Sequence, residues 1–281
     1  KMNQILKLSV LISIIFASGC KSDKHMNTDD LKAPSAEKQA KSLTIHNSTR
    51  IDNYFWMRLT DEQKTAKNKD NQTQKVEAYL NAENEYFDKV TASTNNFQKE
   101  LFEEMKGRIK EDDTSVPYFR NNYFYITRFE KGSQYPIYSR KKESLEVDEE
   151  ILFDVNQEAL EHEYFQLGAL NVSPDNKLVA FATDTVSRRQ YTIQIKNLET
   201  GELLTDKIEN TTGGSVWSND NKTLFYTKKD PLTLRSSSIY RHILGTDASE
   251  DVIVFEEKDE TYSTYVYKTK SHKFIVIGSS S

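Results

Sequence analysis

The sequence predicts a mainly β chain: an incomplete β-propeller of about three blades plus the start of a fourth, preceded by an α-helical N-terminal arm. Apolar residues recur at helical spacing up to about residue 110 and alternate or cluster as strands do beyond it. Past Pro117 a strand-turn-strand pattern recurs, with turns at Asn122, Asn176, Asn221 and His272, spaced 54, 45 and 51 residues apart. That spacing suits one four-stranded blade. A propeller closes with about four to eight blades, and the sequence supplies three and the first strands of another, so the natural protein is expected to continue beyond Ser281.

The 281 residues, 36% hydrophobic and 29% charged, have a globular composition and could hold one large domain or two ordinary ones. Lysine and arginine total 38 against 43 carboxylates, a net charge of −5. A nucleic-acid surface needs a broad basic face, so no nucleic-acid partner is expected.

Residues 1–19 read as an export signal: Lys7 gives a positive start, Leu8 to Phe16 are almost wholly apolar, and Ala17-Ser18-Gly19 are small. The apolar run is short for a bilayer span. Small residues directly before Cys20 resemble the bacterial lipobox, with alanine in place of the usual leucine at its first position. Cys20 is then the lipidation site, and the chain is an exported lipoprotein held to a membrane by its lipid and facing the periplasm. The alternative is an ordinary cleaved signal beside an incidental cysteine. Cys20 is the only cysteine, so no disulfide or thiolate metal site forms within one chain. Removing the leader, with Lys1 and Lys7 and no carboxylate, takes the charge from −5 to −7. Residues 20–45 are polar, contain Pro34, show no apolar period and read as a flexible tether.

Residues 46–110 form the arm. Tyr54-Phe55-Trp56 concentrates three aromatic rings in one short segment, an anchor that fastens an extended arm to the core of another domain. Val76, Tyr79, Leu80, Phe87 and Val90 share one helical face, so a helix is predicted from about Thr73 to Thr91. Ser93 to Asn96 offer N-caps, and Phe97, Leu101, Phe102, Met105 and Ile109 make the stripe of a second helix. Two helices and an aromatic segment cannot enclose a core, so these stripes should dock on something larger. Gly107 can supply the positive φ that ends a helix, and Pro117 fixes φ and removes a donor. Between them Glu111 to Asp113 lie beside Arg108 and Lys110, either as a solvated turn or as a salt-bridged joint.

Residues 111–281 form the partial propeller. Its strands are carried by Tyr123 to Ile126, Ile137-Tyr138 and Ile151 to Phe153; by Leu178 to Phe181 and Tyr191 to Ile195; by Thr223 to Tyr226, Ile239 to Ile243 and Val252 to Phe255; and by Phe274 to Ile277. The Asp-Asn-Lys pieces ahead of several of them are turn chemistry rather than metal ligands.

Catalytic motifs are mainly absent. Gly213-Gly214-Ser215-Val216-Trp217 lacks the closing glycine of a serine elbow, sits ahead of a strand and reads as a loop. His25, His46, His162, His242 and His272 are scattered; His162-Glu163 has no second histidine four residues on, and each reads as a surface or packing residue. The nine glycines form no phosphate loop. No catalytic, metal or cofactor-binding residue is assigned.

Several longer segments carry a resemblance. Asp52-x-Tyr54-x-Trp56-Met57-Arg58, Ala78-Tyr79-Leu80-x-Ala82-Glu83-Asn84, Glu104 to Asp113 and Gln134 to Tyr138 resemble the N-terminal half of the oligopeptidase B (protease II) branch of the prolyl oligopeptidase family. So do His162 to Phe165, Ser173-Pro174-Asp175, Arg188 to Tyr191, Tyr240-Arg241-His242 and Glu256 to Glu260. The resemblance covers roughly residues 46 to 281. It implies a helical arm packed on a C-terminal α/β-hydrolase domain, and a propeller that admits only peptides and small unfolded chains. It also implies cleavage of short basic peptides after Lys or Arg by a Ser-His-Asp triad and an oxyanion hole. Every triad member belongs to the hydrolase domain, so none is carried over to a residue here and this chain alone is expected to be inactive. The alternative is a non-enzymatic propeller lipoprotein that binds peptides or a partner protein.

Overall fold

A computed structural model describes residues 31–281, so the signal and Cys20 lie outside the described residues. The chain divides into two compact units that meet in sequence between Ile109 and Lys110.

The first unit begins with strands β1 (Lys41–Ile45) and β2 (Ser48–Asp52), an antiparallel hairpin pairing Lys41 with Asp52. Its two-residue turn, His46-Asn47, has φ of 50° and 60°, the left-handed pair that matches strand twist. Polar composition alone predicts a tether up to residue 45, whereas residues 41–45 are a strand. The hairpin forms because Gln39 N–H donates to Asn53 O, and because the indole of Trp56 donates to Glu37 O at 2.9 Å. Trp56 belongs to a 3-10 turn, Phe55–Met57. The Lys41 ammonium sits 3.6 Å from the centre of the Phe55 ring and the Lys75 ammonium 5.1 Å from that of Trp56. The aromatic cluster thus anchors within its own unit.

Helix α1 (Asp61–Thr65) opens with a capping box between Thr60 and Gln63, and α2 (Asn71–Thr91) with Asp70, whose carboxylate accepts the Thr73 N–H at 2.7 Å. Of the α2 stripe, Val76 is buried, whereas Leu80 and Phe87 are exposed. Helix α3 (Asn95–Gly107) exposes its whole stripe: Phe97 is 64% and Phe102 61% accessible. The Ser93 to Asn96 caps do not form. Residues Ala92–Thr94 continue as a 3-10 turn in helical conformation, and the Thr94 hydroxyl donates back to Thr91 O. Nor does Gly107 adopt a positive φ. Helix α3 ends by tightening, with Arg108 N–H on Met105 O and Ile109 N–H on Lys106 O. Beyond it the Lys110–Asp113 ion pair, 3.1 Å, is local and exposed.

The second unit is built of antiparallel blades. Blade one has an inner strand broken at Pro117 into β3 (Asp113–Thr114) and β4 (Tyr118–Arg120), both paired with β5 (Tyr123–Phe129); β6 (Ile137–Lys142) and β7 (Glu150–Asp154) follow. After a short helix α4 (Val155–Glu158), β8 (Gln166–Val172), β9 (Leu178–Asp184) and β10 (Tyr191–Asn197) lead to β11 (Leu203–Trp217). The first part of β11 pairs with β10 and closes blade two. Its last part pairs with β12 (Thr223–Lys229) and opens blade three, which continues through β13 (Ser236–Ile243) to β14 (Val252–Glu256). One seven-stranded sheet therefore holds two blades. Strands β15 (Ser263–Lys268) and β16 (Ile275–Ser280) form a further hairpin.

The continuous apolar run of β9 is explained by alternation. Ala180 and Ala182 face a core of Tyr191, Ile193, Ile195, Ile208, Trp217, Leu224 and Tyr226, while Phe181 faces Phe153, Val155 and Phe165. Blades pack on both faces of the sheet, so both sets are buried. The Gly213-Gly214-Ser215 segment is part of β11 rather than a loop. It carries the register shift between the two pairings, and a Cβ on Gly213, at φ +85°, would lie 2.8 Å from the Tyr191 ring.

Each sequence repeat turn is the hairpin between the first two strands of a blade, and Asn122, Asn176, Asn221 and His272 all have φ between 57° and 65°. These turns bond one another across blades. Asn176 Nδ2 donates to Asn121 O at 3.1 Å, Asp175 N–H to Asn221 Oδ1 at 3.0 Å, and Asn219 Nδ2 to His272 O at 2.9 Å. Asp175 and Asp220 spend their carboxylates on the N–H groups of Lys177, Lys222 and Thr223, which is turn chemistry.

Replacing Asn221 by Ala removes both a residue suited to the left-handed conformation and the acceptor for Asp175. A loss of about 1–2 kcal/mol is expected in urea unfolding. Asn221→Gly should lose less, because only the acceptor goes; equal losses would mean that backbone conformation is not the constraint.

Candidate functional site

Two gatherings of polar side chains in the propeller unit bear on function. The first lies inside blade three, where His242 on β13 is fully buried. Its Nδ1 is 2.7 Å from Asp251 Oδ1 and its Nε2 2.9 Å from Asp206 Oδ1. Asp206, on β11, also accepts the Gly245 N–H at 2.7 Å, and Asp251 Oδ2 accepts the Tyr226 hydroxyl at 2.8 Å. A histidine beside an aspartate is part of a hydrolytic triad, but here a second carboxylate occupies the nitrogen that would face the nucleophile. The carboxylates hold the ring from both sides. The cluster ties β11, β12 and β13 to the segment before β14 and is structural. Burial first, and Asp251 second, raise the Tyr226 hydroxyl well above the usual tyrosine value.

The second place is the inner wall, where the first strands of successive blades face the propeller axis. Arg120 of β4, Asn171 of β8, Ser215 to Trp217 of β11 and Val266 to Lys268 of β15 line one cavity of about 290 Å³. Cross-blade bonds set its back: the Trp217 indole donates to Asn171 O at 2.8 Å and Asn171 Nδ2 to Ser215 O at 3.0 Å. Lys268 Nζ donates to Trp217 O at 2.8 Å and Asn219 Oδ1 at 2.5 Å. Burial, then the Arg120 guanidinium, push this ammonium below the usual lysine value against the pull of Asp220. The wall thus carries two cations, Arg120 and Lys268, among valine and tryptophan side chains and the polar Asn171, Ser215 and His272.

Of the histidines singled out in the sequence, His25 lies outside the described residues, His46 and His272 lie in left-handed turns, His162 is exposed with its ring 5.6 Å from that of Phe165, and His242 is buried. Ser215 lies in the inner strand, where it has neither the turn nor the helix of an elbow. Arg120 and Lys268 were not reached by motif. Registering the repeat on its turns would have found them, because Arg120 precedes Asn122 by two residues and Lys268 precedes His272 by four, on the inner strands.

Comparison with known proteins agrees with this architecture. The family description "Prolyl oligopeptidase, N-terminal beta-propeller domain" matches residues 34–281. The chain belongs to the prolyl oligopeptidase family. Among curated relatives, dipeptidyl aminopeptidase BI of Pseudoxanthomonas mexicana is 38% identical, covering 97% of this chain and 37% of the relative. Protease 2 of Moraxella lacunata is 31% identical over 89% of this chain and 36% of its own. The solved structure of oligopeptidase B from Leishmania major superposes with a TM-score of 0.78 at 32% identity, covering 89% of this chain and 36% of that one. The chain thus spans a little over a third of the length of these family members.

His242→Ala strands two buried carboxylates, and about 3–5 kcal/mol of unfolding free energy should be lost in a denaturant titration. The tyrosine predicts a pH effect. Because its folded value is raised, its contribution is complete below the ordinary tyrosine value of about 10 and is lost as pH climbs from there. Tyr125, Tyr191 and Tyr240 are raised too, chiefly by burial, so the urea midpoint should fall between pH 9 and 11 and Tyr226→Phe should remove part of that fall.

Proposed function

We propose that this chain is the helical arm and propeller portion of a serine oligopeptidase that cleaves short peptides after Lys or Arg. In this reading the propeller restricts access to a C-terminal α/β-hydrolase domain. That domain supplies the Ser-His-Asp triad and oxyanion hole. The observation that carries the proposal is the match of residues 34–281 to the propeller domain of a peptidase family, together with relatives named as peptidases that are more than twice as long. The apolar stripes exposed on α2 and α3 support it, since a helical arm docked on a hydrolase domain would cover them.

The relative at 38% identity, a dipeptidyl aminopeptidase, favours a second reading in which the same scaffold serves release of dipeptides from a free amino end. The lipobox-like run before Cys20 supports placement on a membrane facing the periplasm. The charge of −7 left after the leader would draw cationic peptides in a salt-sensitive manner.

The 281-residue chain alone should hydrolyse no fluorogenic peptide. The protein extended through its hydrolase domain should cut amino-blocked substrates bearing Lys or Arg before the bond. Cutting only when the amino end is free would transfer the conclusion to the dipeptidyl reading. Peptide binding without hydrolysis in any form of the protein would leave a scaffold.

A further inference from the structure

We propose that Arg120 and Lys268 form a carboxylate-binding site on the inner wall of the propeller, which holds the carboxylate of a bound peptide. Both side chains line the same cavity of about 290 Å³, and no aspartate or glutamate lies among the residues lining it. Lys268 spends two of its three N–H groups on Trp217 O and Asn219 Oδ1, which fixes the ammonium against the wall and leaves one donor. Arg120 is exposed and makes no hydrogen bond or ion pair within the described residues, so its planar set of donors is free.

The two cations act on one another. Burial first and Arg120 second lower the affinity of Lys268 for its proton, and the nearby Asp220, which pulls the other way, has its carboxylate already accepting from Lys222 N–H, Thr223 N–H and the Thr223 hydroxyl. An anion between the two would relieve that repulsion and complete both donor sets. Val172, Val216, Trp217 and Val266 also line the cavity, and their apolar surface suits the chain of a peptide rather than a bare inorganic ion. The four lining strands belong to four blades, so the site exists only when the blades are assembled.

This inference deepens the peptidase reading and rests on it for the choice of a peptide as ligand. It assigns the basic side chain of a substrate to some other place, because a cationic wall repels it. The carboxylate could come from the C-terminus or from an internal acidic side chain, and the test separates the two.

Binding of acetyl-Ala-Ala-Ala to the full chain should be compared by calorimetry with its C-terminal amide and with acetyl-Ala-Glu-Ala amide. The free acid should bind about tenfold more tightly than the plain amide at low salt, with the difference shrinking as salt rises. Arg120→Gln should bring acid and amide to equal affinity, and Arg120→Lys should keep most of the difference; since Arg120 holds nothing in the fold, both variants should fold. The glutamate peptide binding like the acid assigns the site to any peptide carboxylate, and its binding like the plain amide assigns it to the C-terminus. Equal binding of acid and amide, or a preference that survives Arg120→Gln, overturns the proposal. No step requires hydrolysis, so absence of peptidase activity in the extended protein and absence of acid preference here are separate failures.

Discussion

Strand β11 serves two blades. Over Leu203 to Thr211 it is the outer strand of one blade, held by β10, and over Thr211 to Trp217 it is the inner strand of the next, held by β12. Blades in a propeller otherwise meet by side-chain packing, so a shared strand converts two neighbours into one hydrogen-bonded sheet. The change of partner demands a local break in register. It falls at Gly213, where φ is positive and the Tyr191 ring fills the space a side chain would need. The main core, the buried His242 cluster and the back of the inner wall all draw on residues of this strand: Ile208 and Trp217, Asp206, and Ser215 with Val216.

The arrangement separates rigidity from access. The hairpin turns bond blade to blade at one end of the inner strands, and the Trp217 and Asn171 bonds fix neighbouring inner strands below them. A wall held in this way fixes the strands that carry Arg120 and Lys268 and, through Trp217 O and Asn219 Oδ1, the Lys268 ammonium itself. The arm is the opposite case. Its aromatic cluster is satisfied within its own unit, yet its two helices carry Leu80, Phe87, Phe97, Phe102 and Met105 uncovered, a surface that a larger apolar partner would stabilise.

Much of this was legible in the sequence because turns repeat even when strands do not. Asn122, Asn176, Asn221 and His272 mark the same left-handed position in successive blades, and their spacing alone gave the blade count. The two helices were equally readable from apolar period. Local signals that tertiary context can override did not carry over. Ser93 to Asn96 could cap a helix but continue one, Gly107 could reverse the chain but stays helical, and Gly213 to Ser215 look like a loop because their strand changes partner there. Residues 41–45 look like tether because a two-stranded exposed hairpin needs no apolar alternation. Arg120 and Lys268 carried no motif, since their chemistry arises only when strands some 148 residues apart are brought to one wall. The segments that resembled the prolyl oligopeptidase family were spread along the whole chain, and the family assignment followed from them where composition and catalytic motifs were silent.

The central claim is that β11 makes blades two and three one cooperative unit to which the other elements are appended. Amide hydrogen exchange, followed by mass spectrometry on peptides from each element, tests it most directly. The account predicts that β9 to β13 exchange slowest and with a common opening free energy, while α3 and β16 exchange much faster. Peptides of β9 and β12 opening independently, or α3 as protected as β11, would contradict it.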